Sequence, residues 1–422
     1  MIMAIIRPET EMKDTGIEWI SNIPKEWHVV KGKYILRQLS RPVLESDSVV
    51  TCFRDGEVTL RSNRRESGFT NSLKETGYQG VEPGDLVVHG MDGFAGAIGI
   101  SDSRGKMSPI INVLDSSECK KYLMYYLRGL AFVDVFLGLS TGIRERSCDL
   151  RWNKLANLEY IIPLLSEQQA IADYLDETCS KIDEIIAEAK ASIDEYKELK
   201  QSVIDNATMT GIHDSEMKNT DYVWFPEMPK SWDLVLASLL FREDVRPVDA
   251  NDVSLSLSQV DGLIPTDDMS ERSLKSATHD NWKHVIPDDL VLNRFKGHLG
   301  VFFASKYTGM VSFHYGVYHA IRDDVYAKYY EYLFHSTTYK NIFALKSNGI
   351  TVGLQNLSNG NFYSVKILHP TLDEQIEIVK YLDKRIAEID SLIAEKESLI
   401  KDLESYKKSL IYEVVTGKRR VV

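Results

Sequence analysis

The sequence predicts an α+β protein: two tandem mixed α/β domains, separated by two long helices that pair as a coiled coil, with pseudo-twofold internal duplication. Three observations carry this reading. The chain repeats itself at an offset close to 207 residues. Each copy opens on short alternating apolar stretches, and each closes on a charged run whose apolar residues recur every three or four positions. The resulting division is a first domain over 1–160, a central helix over 161–212, a second domain over 213–369 and a C-terminal helix over 370–422.

The repeat is most evident at SEQQAIADYLDE, from Ser166, and DEQIEIVKYLDK, from Asp373. Between Ser140 and Ile204 the offset of 207 holds without a gap, matching Gly142 to Gly349, Pro163 to Pro370, Gln168 to Gln375 and Asp176 to Asp383. Upstream it becomes 204, pairing Gly93 with Gly297, Gly96 with Gly300 and Ser108 with Ser312. At the front it is 205, where WISNIPKEW from Trp19 meets WFPEMPKSW from Trp224. Small changes of offset are what loop insertions in a duplicated domain leave behind.

Within each domain, stretches such as DLVVHG, AIGIS and VFFAS read as short strands between turns, and KKYLMYYLRGLAFVDVFL, from Lys120, reads as a helix. The long helices then begin. Ser166 followed by Gln169 predicts a capping box, with Asp373 at the matching place in the second copy. Both end at Thr-Gly, Thr210-Gly211 and Thr416-Gly417, glycine being the usual helix stop. A 4-3 spacing places the first seam at Ile171, Leu175, Thr178, Ile182, Ile185, Ala189, Ser192, Tyr196, Leu199 and Val203. The second runs Ile378, Leu382, Arg385, Ile389, Leu392, Lys396, Leu399, Leu403, Tyr406 and Leu410. Arg385 and Lys396 have no polar equivalent of their kind in the first helix, which favours the helices as partners of each other over two helices each packed on its own domain.

Composition narrows the class. No apolar run approaches the ~20 residues that span a bilayer, and MIMAIIRPETEMKD is too short and too soon charged for a secretory signal, so a cytoplasmic chain is expected. Cys52, Cys119, Cys148 and Cys179 stand singly, without the spacing of a zinc site or a disulfide framework. The net charge of −12 argues against a nucleic-acid partner only as a sum. Residues 1–160 carry 21 basic and 21 acidic side chains, whereas 161–212 carry 4 and 11, so this one segment holds −7 of the net −12. A DNA-facing surface elsewhere remains open, because the electrostatic footprint is local.

No catalytic constellation emerges. GFAGAIG, from Gly93, lacks the ending of a phosphate loop and reads as strand-turn-strand packing. An Asn-Pro-Pro-aromatic methylation motif is absent, Glu188-Ala189-Lys190 falls on the coil, and His89, His298 and His314 read as turn or surface residues. No metal site and no cofactor of its own is expected. What remains are basic loop clusters: Arg61, Arg64 and Arg65 in RSNRR, Arg144, Arg146, Arg151 and Lys154 in RERSCDLRWNK, and Arg294 with Lys296 beside Asn293 and His298 in the second copy. Arginine and lysine neutralise phosphates, and Arg, Asn, Gln and His also read base edges.

The two-copy plan, the opening WISNIPKEW, the junctions YIIPLLSEQQAIADYLD and KILHPTLDEQIEIVKYLD, and the Thr-Gly after each helix together resemble the specificity (S, HsdS) subunit of type I restriction–modification systems. The resemblance covers essentially the whole chain and departs only at LHPTLDEQ, where the proline-rich junction is thinned to Pro370. It implies a non-catalytic DNA-recognition subunit whose two domains are target recognition domains, each reading one half of a bipartite asymmetric site in double-stranded DNA. The resemblance also implies that the helices form an antiparallel coiled coil, which would fix the spacer and dock two modification (methyltransferase) subunits; these would carry S-adenosylmethionine, and restriction subunits with helicase and nuclease activity would join them. The DNA-binding candidates are Arg61, Arg64, Arg65, His89, Asp92, Arg144 and Arg146 in the first domain, and Asn293, Arg294, Lys296, His298, Thr351 and Gln355 in the second. The seam residues of interest are Ile171, Leu175, Ile182, Ile185, Ile378, Leu382, Ile389 and Leu392. A self-contained methyltransferase and a coiled-coil adaptor binding only protein are the alternatives.

Overall fold

A computed structural model of the chain describes residues 4–64, 76–138, 150–258, 262–269, 281–347 and 356–421. Contacts group the chain into two compact units, Met1–Ala189 with Glu397–Val422, and Lys190–Lys396. Each unit therefore takes in one α/β body and a stretch of both long helices.

In unit 1 a four-stranded antiparallel sheet runs in the order Ile98–Ile100, Leu86–His89, Ile111–Ser116, Leu36–Gln38. Leu86, Val87 and Val88 are all fully buried, so the central strand reads as a continuous apolar run rather than an alternating one. The helix expected from Lys120 forms over Lys120–Phe132, but it breaks at Asp134, whose φ of 59° is left-handed, before a short turn of helix at Val135–Gly138. Its buried face is tyrosine-rich. Tyr122 and Tyr126 donate to the carbonyls of Ile161 and Glu159 at 2.7 Å each, which fixes the strand that leads into the first long helix. The chain's two ends also meet in this unit, with strand Ala4–Ile6 antiparallel to Arg419–Val421.

Unit 2 repeats the plan: Phe302–Ala304, Leu290–Asn293, Tyr315–Ala320, Phe241–Glu243, again all antiparallel and in the same order. Its core is aromatic, with Phe302, Phe334, Phe343 and Phe362 in ring contact. The glycine turns are strand-turn-strand packing, as expected. Gly96 (φ 92°) and Gly300 (φ 69°) are left-handed, and a Cβ at either would lie 2.7 Å or 2.5 Å from a backbone oxygen.

The long helices span Leu165–Thr210 and Leu372–Val415, and each is followed by a glycine of positive φ, Gly211 and Gly417. Their starts differ from expectation. Ser166 lies inside the first turn and caps nothing; the Leu164 carbonyl takes the N–H groups of Glu167 and Gln168. In the second copy the capping box is Thr371 with Glu374, two residues before the expected Asp373: Thr371 Oγ1 accepts from Glu374 N–H at 3.4 Å while Glu374 Oε2 accepts from Thr371 N–H at 3.0 Å.

The repeated phrase anchors each helix to its own domain by the same bonds. Trp27 and Trp232 donate their indole N–H to Glu167 and Glu374. Gln168 and Gln375, both fully buried, donate to the Pro163 and Pro370 carbonyls and accept from the N–H of Cys119 and Tyr326. The Tyr125 and Tyr332 hydroxyls donate to Asp176 and Asp383. Buried amides cost free energy unless paired, and these are paired identically in both copies.

The seam is half as expected. Ile171, Leu175, Ile182, Ile378, Leu382 and Ile389 are buried, but Ile185 is 45% exposed and Leu392 41%. The buried stripe runs instead through Cys179, Ile182, Ile186, Ala189 and Ile193, and in the second helix through buried Leu382 and Ile389 with half-buried Ile386 and Ile393. The 3- and 4-residue steps alternate in the opposite phase, so one heptad position of each pair was assigned one residue too early. In unit 1 the start of the first helix packs with the end of the second around Ile182, Ile186, Leu403 and Leu410, and Lys407 pairs with Asp183 at 2.6 Å. In unit 2 the end of the first packs with the start of the second around Ile204, Ala207, Ile378 and Leu382, and Lys200 pairs with Asp390 at 2.7 Å.

Candidate nucleic-acid interface

In unit 1 the candidates cluster on the turns that leave the ends of short strands. His89 closes the strand Leu86–His89, and its Nδ1 accepts the N–H groups of Met91 and Asp92 at 3.2 and 3.0 Å. Burial pushes the His89 pKa down, so the ring is neutral at pH 7 with its proton on Nε2. Asp92 is paired with Arg54 at 2.8 Å. Arg64 pairs with Asp55 and Glu57 at 2.6 and 3.2 Å, and its guanidinium lies 4.3 Å from the Phe53 ring. Arg61 begins the short helical turn Arg61–Asn63 and donates to Thr51 Oγ1 at 3.3 Å. His89, Asp92 and Arg64 are thus joined through the Phe53–Glu57 turn, and Arg54, which sequence reasoning passed over, is the link. Arg65, Arg144 and Arg146 lie outside the described residues.

In unit 2 the strand Leu290–Asn293 delivers its candidates to the equivalent turn. Asn293 Oδ1 caps that turn by accepting the Phe295 N–H at 3.2 Å. Arg294 turns inward, donating to Glu243 at 2.5 Å and to Asn359 at 2.9 Å. Glu243 also takes the ammonium of buried Lys283 at 2.7 Å, and Lys283 in turn donates to the Tyr315 carbonyl at 2.6 Å. Burial raises the Glu243 pKa, but hydrogen bonds from Lys283 and Asn359 and the charge of Arg294 outweigh it, so the carboxyl is held below its ordinary value. Lys296 is exposed and has no ion pair among the described residues. Thr351 and Gln355 lie outside the described residues, as does the side chain of His298.

Beside Lys296 stands a group that the sequence reading did not select as a binder: Phe295, Phe313 and His314, with ring centroids 5.2 Å apart for Phe295 and His314 and 3.8 Å for Phe313 and His314. Its sequence signal was available, since Phe313-His314 aligns with Pro109-Ile110 at the offset of 204. Among the described residues no group of three or more His, Cys, Asp or Glu is disposed to hold a metal ion, and no helix is long and apolar enough to cross a membrane. The chemistry on offer is that of fixed cations, amides and exposed rings at loop ends, which is the equipment of a polyanion-binding surface.

Comparison with known proteins gives this surface a class. Residues 266–402 match the family of the type I restriction modification DNA specificity domain, a span that includes Arg294, Lys296 and the aromatic group. The whole chain is similar in fold to a chain from a structure of complex assembly and conformational transition of the type I R-M system, with a TM-score of 0.69 and 12% identity over 94% of this chain and 99% of that one. It is also similar to the HsdS subunit from Thermoanaerobacter tengcongensis, with a TM-score of 0.53 and 14% identity over 94% and 98% of the two chains. The chain thus has the mixed α/β fold of those two structures, and within it residues 266–402 match the DNA specificity domain. The match over residues 266–402 agrees with the resemblance of the repeated junctions to the type I restriction–modification specificity (S, HsdS) subunits.

Proposed function

We propose that this subunit reads a bipartite, asymmetric site in double-stranded DNA, one half with the loops of each unit, and that the two long helices form an antiparallel coiled coil that sets the unread spacer. The observation that carries the reading is the identity of the two bodies in sheet order and junction bonding against the difference of their turn residues, HGMDGFAG in one and NRFKGHLG in the other. A shared scaffold with unlike loops is suited to two unlike half-sites. The ion pairs support the ruler: Asp183 pairs with Lys407 and Lys200 with Asp390, so moving 17 residues forward on the first helix matches moving 17 back on the second. At ~1.5 Å per residue the 46-residue helix is about 69 Å long, ample to set half-sites one DNA turn, roughly 34 Å, apart.

The helices also carry apolar side chains that their seam does not use. In unit 1 these are Ile185, Leu399 and Tyr406, and in unit 2 Leu199 and Leu392, all exposed. One such patch per unit suits two modification subunits, and the acidic first helix suits a protein partner better than DNA. In this reading the chain acts in the cytoplasm without catalytic residues or a cofactor of its own; S-adenosylmethionine belongs to the modification subunits, and restriction subunits complete the assembly. Mapping methylated bases in the host genome with and without this gene tests the reading. The expected result is one split asymmetric motif that disappears with the gene. Methyl transfer by the isolated chain would instead establish a self-contained methyltransferase, and an assembly without sequence preference would establish a protein-only adaptor.

A further inference from the structure

The turn between strands Gly309–Val311 and Tyr315–Ala320 has an unusual tip. Tyr315 N–H bonds the Ser312 carbonyl at 3.0 Å, which places Phe313 and His314 at the two central turn positions, where Pro, Gly, Asn and Asp are preferred. Phe313 is 49% exposed and Phe295, across from it, 40%. The equivalent turn of unit 1 has the same bond, Ile111 N–H to Ser108 carbonyl, but carries Pro109 and Ile110, an ordinary choice. Nothing in the turn's own geometry requires aromatic rings there.

The roots of the aromatic group are braced from inside. Arg294, immediately before Phe295, and Lys283, which holds the Tyr315 carbonyl immediately after His314, both end on Glu243. In unit 1 the position of Lys283 is taken by Gln79, whose amide donates to the Ile111 carbonyl at 2.6 Å, and that of Glu243 by Gln38. The first copy thus supports its turn with a neutral amide, while the second uses a part-buried three-way ion network. Such networks cost desolvation and are justified where one geometry must be held. Exposed rings on a rigid base, next to the exposed Lys296, which has no ion pair among the described residues, fit one ligand: a duplex whose phosphate meets the lysine and whose base step opens to the ring.

We propose that Phe313, supported by His314 and Phe295, is an apolar wedge that inserts at a base step of the half-site read by unit 2, with Glu243, Arg294 and Lys283 as positioning residues. The inference rests on the DNA-specificity reading and adds a mode of recognition present in one half-site and not the other. It is tested with the full chain assembled with its modification subunits, on duplexes of the mapped site scanned with 2-aminopurine away from the methylated base. The wild type should raise 2-aminopurine fluorescence at one step of one half-site only. Phe313→Ala should abolish that rise and weaken site binding about tenfold, whereas Pro109→Ala in unit 1 should change neither. Glu243→Gln should reduce the fluorescence rise, and the charge-conserving Glu243→Asp should restore part of it. Thermal unfolding of Phe313→Ala should match the wild type, since the ring is half exposed. Unchanged binding and fluorescence in Phe313→Ala would overturn the wedge and leave site reading intact. Loss of assembly with the modification subunits in that variant would overturn it too, by making the tip a protein contact. A wild-type assembly with no site preference would overturn the functional reading itself.

Discussion

Arg294 shows how a residue's chemistry and its placement part company. As a sequence feature it is a cation in a loop beside Asn293 and Lys296, and a phosphate ligand is the natural expectation. In the fold its guanidinium is committed to Glu243 and Asn359. No local signal announces this, because Glu243 lies 51 residues earlier and meets it only through the pairing of non-adjacent strands. The Trp, Gln and Tyr bonds of the repeated phrase were hidden for the same reason, although the repetition itself marked their positions. His335, in unit 2, carries a prediction at this scale. Burial, reinforced by the charges of Lys340 and Lys328, pushes its pKa down to about 3. A histidine depressed in the folded state binds its proton more readily when unfolded, so its stabilisation is complete above the unfolded pKa and is lost as pH falls from about 6.5 toward 3. Over that window it contributes a slope of about 1.4 kcal/mol per pH unit. Denaturant melts at successive pH values should show His335→Gln with a shallower acid limb than the wild type by about one proton.

At the scale of the element, the long helices, their Thr-Gly ends and their heptad character were legible, because periodicity over about nine turns outweighs any single residue. Their phase was not. Ile185-Ile186 and Leu392-Ile393 offer an apolar residue to either phase, and the phases are told apart at Cys179, beside Thr178, at Ile193, beside Ser192, and at Ile386, beside Arg385. The seam takes the second residue of each pair. Ile186→Ala should therefore lower stability by about 2–4 kcal/mol, while Ile185→Ala should stay within about 0.5 kcal/mol, as read from urea melts of the full chain. If the exposed patches receive the modification subunits, Ile185→Lys with Tyr406→Lys should leave folding unchanged and reduce the modification subunits recovered per chain from two to one, as measured by light scattering of the assembly. Recovery of two would contradict that role for the unit 1 patch.

At the scale of the whole molecule, the duplication was the most legible feature, since sequence alone aligned strands, glycine turns and helix junctions that the fold then repeats in the same order. What it could not supply is the use of that symmetry, because a ruler depends on the register of two helices drawn from distant parts of the chain. The central claim is that helix length sets the spacing of the half-sites. Removing one heptad from each helix, residues 189–195 and 395–401, preserves both seams and shortens each by about 10 Å, or roughly three base pairs. The direct measurement is genome-wide methylation mapping with this variant in the assembled complex. Our account predicts that methylation at the original spacing is lost and that any methylated sites keep the same two half-sites at a changed separation; methylation retained at the original spacing would contradict it.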